Sequence, residues 1–176
     1  MKKSSQMLPV RRVKITGPAM TGSNSARGSR EGFMARDVPR LWFRRRLRRY
    51  AEDISADRAY PFLIFRIADH ALIGGVTLAN VRRGIVQAGT VGYWTGEQFA
   101  GQGYMTLALK VLLPFIFSEL SLHRIEAACI PTNKASVRVL EKCGFVREGL
   151  ARRYLCINGI WQDHLLFGLL NEDLKG

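Results

Sequence analysis

Residues 97–105, Glu97-Gln98-Phe99-Ala100-Gly101-Gln102-Gly103-Tyr104-Met105, decide how this chain is read. The stretch before them, AGTVGYWTG, has the composition of a strand, and the stretch after them, TLALKVLLPFIFSEL, has the length and apolar content of a buried helix. Strand, glycine-rich turn and helix in that order make an anion site, because the unpaired amides of the first helical turn and the helix dipole both face the ligand. Gly101 and Gly103 add close approach and unusual backbone angles. No Gly-Lys-Ser/Thr follows, so this is not an ATP-type phosphate loop, and a dinucleotide motif belongs in an early parallel βαβ unit.

Upstream, Tyr60–Ala68 and Ala71–Val81 flank Asp69-His70, and Arg82-Arg83-Gly84 turns into Ile85–Thr95. Three apolar runs joined by tight turns predict an antiparallel meander. From Val38 to Ile54, arginines alternate with Leu41, Trp42, Leu47 and Tyr50 at helical spacing, and residues 17–30, GPAMTGSNSARGSR, read as a loop. Downstream, the helix after Gly103 is apolar on nearly every side (Leu107, Leu109, Val111, Leu112, Phe115, Phe117), which predicts a central, covered helix. Pro114 is expected to bend it or end its regular part. His123–Ile130 reads as a strand, Asn133 caps a helix to about Cys143, and Gly144 ends it. Phe145–Ile157 and Ile160–Leu169 form a hairpin around Asn158-Gly159.

A chain of 176 residues is most economically one domain, and its 47% hydrophobic and 23% charged content is that of a globular protein. No apolar run reaches about 18 residues, and MKKSSQM lacks the apolar core of an export signal, so a cytoplasmic protein with no membrane contact is expected. Cys129, Cys143 and Cys156 are odd in number and widely spaced, which predicts reduced thiols. With no Cys-x-x-Cys pair and only His70, His123 and His164, no metal is expected. The net charge of +13 is uneven: residues 1–50 hold 14 Lys or Arg against Glu31 and Asp37, while the remainder holds 13 bases and 12 acids. The basic end reads either as a solvated helix face with a tail or as a surface attracted to RNA, ribosomes or another polyanion.

Gln98-x-x-Gly101-x-Gly103 resembles the pyrophosphate-binding motif of the GNAT acetyltransferases, Gln/Arg-x-x-Gly-x-Gly/Ala. Asn133-Lys-Ala-Ser136 and Val139-Leu-Glu-Lys-Cys-Gly-Phe145 resemble that family's next motif. LHRIEAACIPTNKASVRVLEKCGFVREG and YLCINGIWQDHLLF look like the ribosomal-protein-alanine N-acetyltransferases of the RimJ/RimL group, and the resemblance covers roughly Tyr60 to Leu170. It implies a single α/β GNAT domain over residues 1–176, with a mixed, mostly antiparallel twisted sheet and helices on both faces. The implied donor is acetyl-CoA. The implied acceptor is a primary amine, first the N-terminal alanine of a ribosomal protein and second a small-molecule amine. A ribosome- or RNA-binding assembly factor with incidental catalysis is the rival from another class. RRVKITG fits the family's first strand, but GPAMTGSNSARGSREGFMARDVPR departs from its two helices, so residues 1–40 match poorly and are expected to be partly disordered.

The resemblance puts the pyrophosphate on the amides of Phe99, Ala100, Gly101, Gln102, Gly103 and Tyr104, with Gln98 opening the motif. It also implies a fourth strand that bulges and splays from the fifth, so that Gly92-Tyr93-Trp94-Thr95 bond pantetheine and offer an amide to the oxyanion. Asn133 is a good cap by its own chemistry, and the family adds a place beside pantetheine. Ser136 matches a serine that serves the leaving thiolate in related enzymes. Glu126, between Ile125 and Ala127, is the candidate base, directly or through water; the alternative is an ion pair with Arg124 or Arg147. The family's acid tyrosine, seven residues after the asparagine, is replaced by Leu140. Cys129 aligns with a cysteine near the CoA thiol or is simple packing. Tyr154, Trp161, Asp163 and His164 belong either to an acceptor groove or to the core. An α-amine with a pKa of roughly 7.7–8.0 is about a tenth neutral at pH 7, whereas a lysine amine near ~10.4 is below about a thousandth. A chain without an evident strong base therefore suits an α-amine.

Overall fold

The computed structural model describes residues 11–15 and 40–175. The loop read over 17–30 and the helical residues before Arg40 lie outside them, as does all of 1–40 apart from Arg11–Ile15 and Arg40. The elements run β1 (Arg11–Ile15), α1 (Arg40–Ser55), β2 (Tyr60–Arg66), β3 (Leu72–Arg82), β4 (Ala88–Thr95), α2 (Tyr104–Glu119), β5 (Arg124–Cys129), α3 (Lys134–Lys142), β6 (Val146–Ile157) and β7 (Ile160–Leu170). The seven strands form one sheet in the order β1-β2-β3-β4-β5-β7-β6. The β1/β2 and β4/β5 pairs are parallel and the other four are antiparallel, so the sheet is mixed and mostly antiparallel.

Local chemistry sets the element ends. Asn158 and Gly159 take φ of 50° and 80°, the two left-handed residues of a hairpin turn. Asn133 accepts a hydrogen bond from the Ser136 amide at 3.1 Å and so caps α3. At the other end Gly144 has φ 87°, and the Gly144 and Phe145 amides donate to Glu141 and Leu140, a Schellman ending with Phe145 and Leu140 both buried.

Residues paired across strands share a face, so one face carries Phe62, Val76, Leu78, Val91, Tyr93, Ile125, Ala127, Cys129 and Phe167. All of these are buried except Tyr93, which is half-buried. The opposite face carries Thr90, Gly92, Trp94, Glu126, Ala128 and Gly168. Helix α1 contacts β2, α2 contacts β1 and β3, and α3 contacts β5 and α2.

Helix α2 departs from expectation in how far it is covered. It is buried on one side only: Tyr104, Met105, Ala108, Leu109, Leu112, Leu113, Ile116 and Phe117 form the packed stripe, while Leu107 and Val111 are exposed. Its apolar content exceeds what one contact face can cover. Nor does Pro114 end it, for the helix continues to Glu119. The carbonyl that Pro114 leaves without its amide partner belongs to Lys110, on the exposed side of the helix.

Candidate active site

Between β4 and α2 the chain makes a 3₁₀ turn over Glu97–Phe99 and then the two glycines. Gly101 and Gly103 have φ of 73° and 80°, and a Cβ at either would meet nothing within 4 Å. Glycine is needed there for backbone angle and for an open approach, not to relieve a clash within the chain. Gln98 and Gln102 are exposed, and Gln102 Nε2 donates to the Gln98 carbonyl at 2.8 Å. The Phe99 and Ala100 amides are taken by the carbonyls of Gly96 and Glu97. Among the described residues, the amides of Gly101 to Thr106 donate to no acceptor, so the free donors run from 101 to 106 rather than from 99 to 104.

Two buried aromatic rings hold this turn. Phe99 and Tyr104 pack edge to face with centroids 6.0 Å apart. The Arg66 guanidinium sits over Phe99 at 5.3 Å and donates to the Tyr104 hydroxyl at 3.1 Å. Asp69 binds Arg66 through both oxygens, at 2.9 and 2.5 Å, and that contact holds its carboxyl well below the usual range. Arg66 and Asp69 were not singled out from the sequence. Their only signal there was a tight turn beginning with an acid two residues before a strand.

Beyond the turn lies an opening in the sheet. Strands β4 and β5 pair only over Ala88–Thr90 and Arg124–Glu126, although β4 runs to Thr95 and β5 to Cys129. Tyr93, Trp94 and Thr95 therefore line an unpaired edge. The expected splay is present; the expected bulge is not on that part of β4, which pairs with β3 continuously from Thr90 to Thr95. The register shift falls between Ala79 and Arg82 instead. Trp94 is half-exposed, and its indole lies across Gly75, where a Cβ would stand 2.6 Å from Nε1.

The two candidate catalytic residues stand on opposite sides of this opening. Ser136, in the first turn of α3, lies 2.8 Å from the Tyr93 hydroxyl through Oγ. Burial raises Cys129, with Ser136 opposing, and pushes Tyr93 up to about 12. Glu126 forms the last β4–β5 pair with Thr90 and faces the other way. Its Oε2 meets Arg82 at 2.5 Å and its Oε1 meets Arg124 at 3.3 Å, while Arg124 also binds Glu148 through two contacts. The ion pair with Arg124 that the sequence allowed is thus formed, and Arg82 takes the place open to Arg147.

This cluster borders a cavity of ≈ 160 Å³ with Thr90, Ala128 and Tyr154. Gly168 lets the cluster lie flat, for a Cβ there would meet Glu148 and Arg124 within 2.5–2.8 Å. A glycine inside HLLFGLL was the sequence signal for this close approach. His164 is 97% buried by its 3% exposure, donates from Nδ1 to the Gln162 carbonyl at 3.0 Å and meets Tyr154 edge-on at 5.8 Å. Trp161 is exposed near the hairpin tip, and Asp163 accepts from the Arg153 amide at 2.8 Å. Tyr154 lines the cavity and His164 packs against it, whereas Trp161 is exposed and Asp163 is taken by the Arg153 amide.

A larger concavity, ≈ 620 Å³, is lined by Arg45, Arg48, Arg49, Glu52, Asp53 and Arg58 on and after α1. Arg48 pairs with Glu52 at 3.3 Å, and Asp53 pairs with Arg49 at 3.8 Å and Arg58 at 3.0 Å, which leaves a surplus of positive charge. Among the described residues no group of His, Cys, Asp and Glu is placed to hold a metal, and no helix is long and apolar enough to cross a membrane.

A turn of free amides at a helix start beside two parallel strands that part is the arrangement of an acyl-CoA-dependent transferase. Residues 27–146 match the acetyltransferase (GNAT) domain family, and the chain belongs to it, as an acetyl-CoA-dependent N-acetyltransferase. The chain is similar to the probable N-acetyltransferase YjcK of Bacillus subtilis, 44% identical over 74% of this chain and 72% of that protein. It is also similar to the [ribosomal protein uS5]-alanine N-acetyltransferase of Escherichia coli, 36% identical over 65% of this chain and 59% of that protein. The aligned segment thus spans less than two thirds of the latter's length. Among solved structures, the ribosomal-protein-S5-alanine acetyltransferase of Vibrio fischeri superposes with a TM-score of 0.71 at 38% identity, covering 77% of this chain and 74% of that one. RimJ of Mycobacterium smegmatis in complex with CoA-disulfide superposes with a TM-score of 0.72 at 34% identity, covering 77% and 64%.

Proposed function

We propose that the chain acetylates the α-amine of a protein N-terminus, first of all a ribosomal protein that begins with alanine. The observation that carries this reading is the parting of β4 from β5 beyond Thr90–Glu126, with free amides at 101–106 at one end. Acetyl-CoA supplies the acetyl thioester. The amides of Gly101 to Thr106 bind its pyrophosphate, and the edges at Tyr93–Thr95 and Ala127–Cys129 bind its pantetheine arm. Gln98, Phe99, Ala100 and Tyr104 build the turn, and Asn133 orients the start of α3 beside the arm. Ser136 donates a hydrogen bond to sulfur as negative charge develops there.

The amine enters from the Glu126 face. Each Glu126 oxygen already meets a guanidinium, so we assign the residue to shaping that face, and the amine's proton leaves to water. An acceptor already partly neutral at pH 7 suits this arrangement, which favours an α-amine over a lysine. The names of the relatives that match at 36% and 38% identity support alanine as the first residue to test.

A small amine is the second reading, supported by the spermidine N-acetyltransferase SpeG of Vibrio cholerae, which superposes with a TM-score of 0.67 at 25% identity and covers 76% of this chain and 77% of that one. The net charge of +13 weighs against a polycation. The test is calorimetric titration with acetyl-CoA, followed by assays with an Ala-initiated peptide, spermidine and an aminoglycoside. Turnover of the peptide alone supports the proposal; turnover of a small amine in its place replaces it. CoA binding with no turnover of any acceptor leaves the basic α1 face as the functional surface.

A further inference from the structure

Ser136 occupies the third position of α3, where a serine side chain usually either faces solvent or folds back on the helix start. Neither happens here. The capping bond is made by Asn133 Oδ1, and the Asn133 amide donates to the Ile130 carbonyl, so the Ser136 hydroxyl is not spent on the cap. Its neighbour is instead the Tyr93 phenol, which is placed to donate to Oγ at 2.8 Å or to the Ser136 carbonyl at 3.2 Å, the contact to Oγ being the shorter. Tyr93 belongs to the part of β4 that has left β5, and it projects from the same face as Cys129. The phenol and the serine hydroxyl therefore meet across the opening.

A serine hydroxyl is a free rotor with one proton and two lone pairs. If nothing holds it, its proton is shared among whatever acceptors lie near. A donor fixed on one lone pair removes that freedom and leaves the serine proton for a third partner. We propose that Tyr93 is a positioning residue: its hydroxyl donates to Ser136 Oγ and so directs the Ser136 proton at the sulfur of the bound donor. This inference rests on the role given to Ser136 above.

In the transfer, the C–S bond breaks as the C–N bond forms, and the electron pair goes to sulfur. The amine's proton reaches sulfur by way of water. Neither hydroxyl changes its net protonation. Tyr93 is suited to this because burial holds its phenol protonated far above neutrality. The alternative is that Ser136 merely satisfies a half-buried phenol, as buried tyrosines require.

The two are separated by titrating the thiol of bound CoA, followed by thiolate absorbance, in the parent, Tyr93→Phe, Ser136→Ala and the double variant. CoA affinity by calorimetry checks folding, and Tyr93→Leu serves if Tyr93→Phe does not fold. With Tyr93 positioning Ser136, both single variants raise the pH at which the bound thiol ionises. The double variant then adds nothing to Ser136→Ala. Turnover falls about 2- to 15-fold in Tyr93→Phe, the worth of one neutral hydrogen bond, and the loss narrows with an acetyl donor whose thiol is less basic. A Tyr93→Phe titration identical to the parent, beside a shifted Ser136→Ala, overturns the role of Tyr93 and leaves that of Ser136. No shift in either variant overturns both.

Discussion

Gly103→Ala isolates the phosphate turn because the structure supplies a matched control. Gly103 has φ 80° and Gly84, in the β3–β4 loop at the other end of β4, has φ 68°; an added Cβ meets nothing within 4 Å at either. The steric term is therefore absent from both, and what remains is the left-handed backbone, worth roughly 1–2 kcal/mol for an L-residue. In a domain of this size each kcal/mol moves Tm by roughly 2–4 °C, so both variants should melt about 2–8 °C below the parent.

Their binding should differ. At 103 the new methyl projects into the open approach, and any relaxation of φ turns the 101–106 amides away. Losing one amide bond to a charged phosphate costs about 1.5–3 kcal/mol, which weakens CoA about 10- to 150-fold. Gly84→Ala should bind CoA as the parent does. Thermal melts and calorimetry on the three proteins decide the matter. A Gly103→Ala protein that melts like Gly84→Ala and binds CoA within about twofold of the parent would refute the phosphate turn.

Because both Glu126 oxygens are engaged, Glu126→Gln should lower kcat by less than about tenfold, against the ~10²–10⁴ that loss of a general base costs; a larger loss that shrinks as pH rises would restore the base. The excess arginines on α1 should bind a polyanion in a salt-dependent way. Changing Arg45, Arg48 and Arg49 to Gln should weaken ribosome association at low salt and leave CoA affinity unchanged, and salt-independent association or none would make this a solvated face. Arg83 binds Asp57 through two contacts and also the Leu120 carbonyl, tying the end of α1 to the end of α2. The Arg83 contact holds the Asp57 carboxyl below its usual 3.8. A depressed folded-state pKa contributes stability above the unfolded value that is lost as pH falls through the folded one, so acid destabilisation below about pH 4 should be shallower in Asp57→Asn. Equal slopes from pH 6 to 3 in denaturant titrations would count against it.

The features legible in the sequence were those fixed within a few residues. Asn158-Gly159, the Asn133 cap, the Gly144 ending and the two left-handed glycines each follow from local backbone demands, and each stands where it was read. The covered α2 failed because composition reports how apolar a helix is, not how many neighbours surround it. Leu107 and Val111 carry the same residue types as the buried stripe beside them. The glycine turn was legible as a motif, but the groups that hold it were not. Glu126 meets Arg82 across 44 residues of chain and Tyr93 meets Ser136 across 43, and no local period encodes such pairs. Register does encode them, once the strand pairing is known.

The parting of the sheet also divides the chemistry by charge. On the Glu126 face, Arg82 and Arg124 are matched by Glu126 and Glu148, so the side proposed for amine entry is close to neutral. On the other face the groups nearest the opening, Tyr93, Ser136 and Cys129, are uncharged hydroxyls and a thiol that burial raises. On the proposed reading, charge that develops in the transition state is met by fixed dipoles, the edge of Tyr93–Thr95 that β5 leaves open for oxygen and the serine hydroxyl for sulfur. Dipoles of this kind act only when they are in place beforehand. On that reading the supports, Arg66 beneath the glycine turn and Tyr93 against Ser136, would bear on rate even though neither carries the reacting proton.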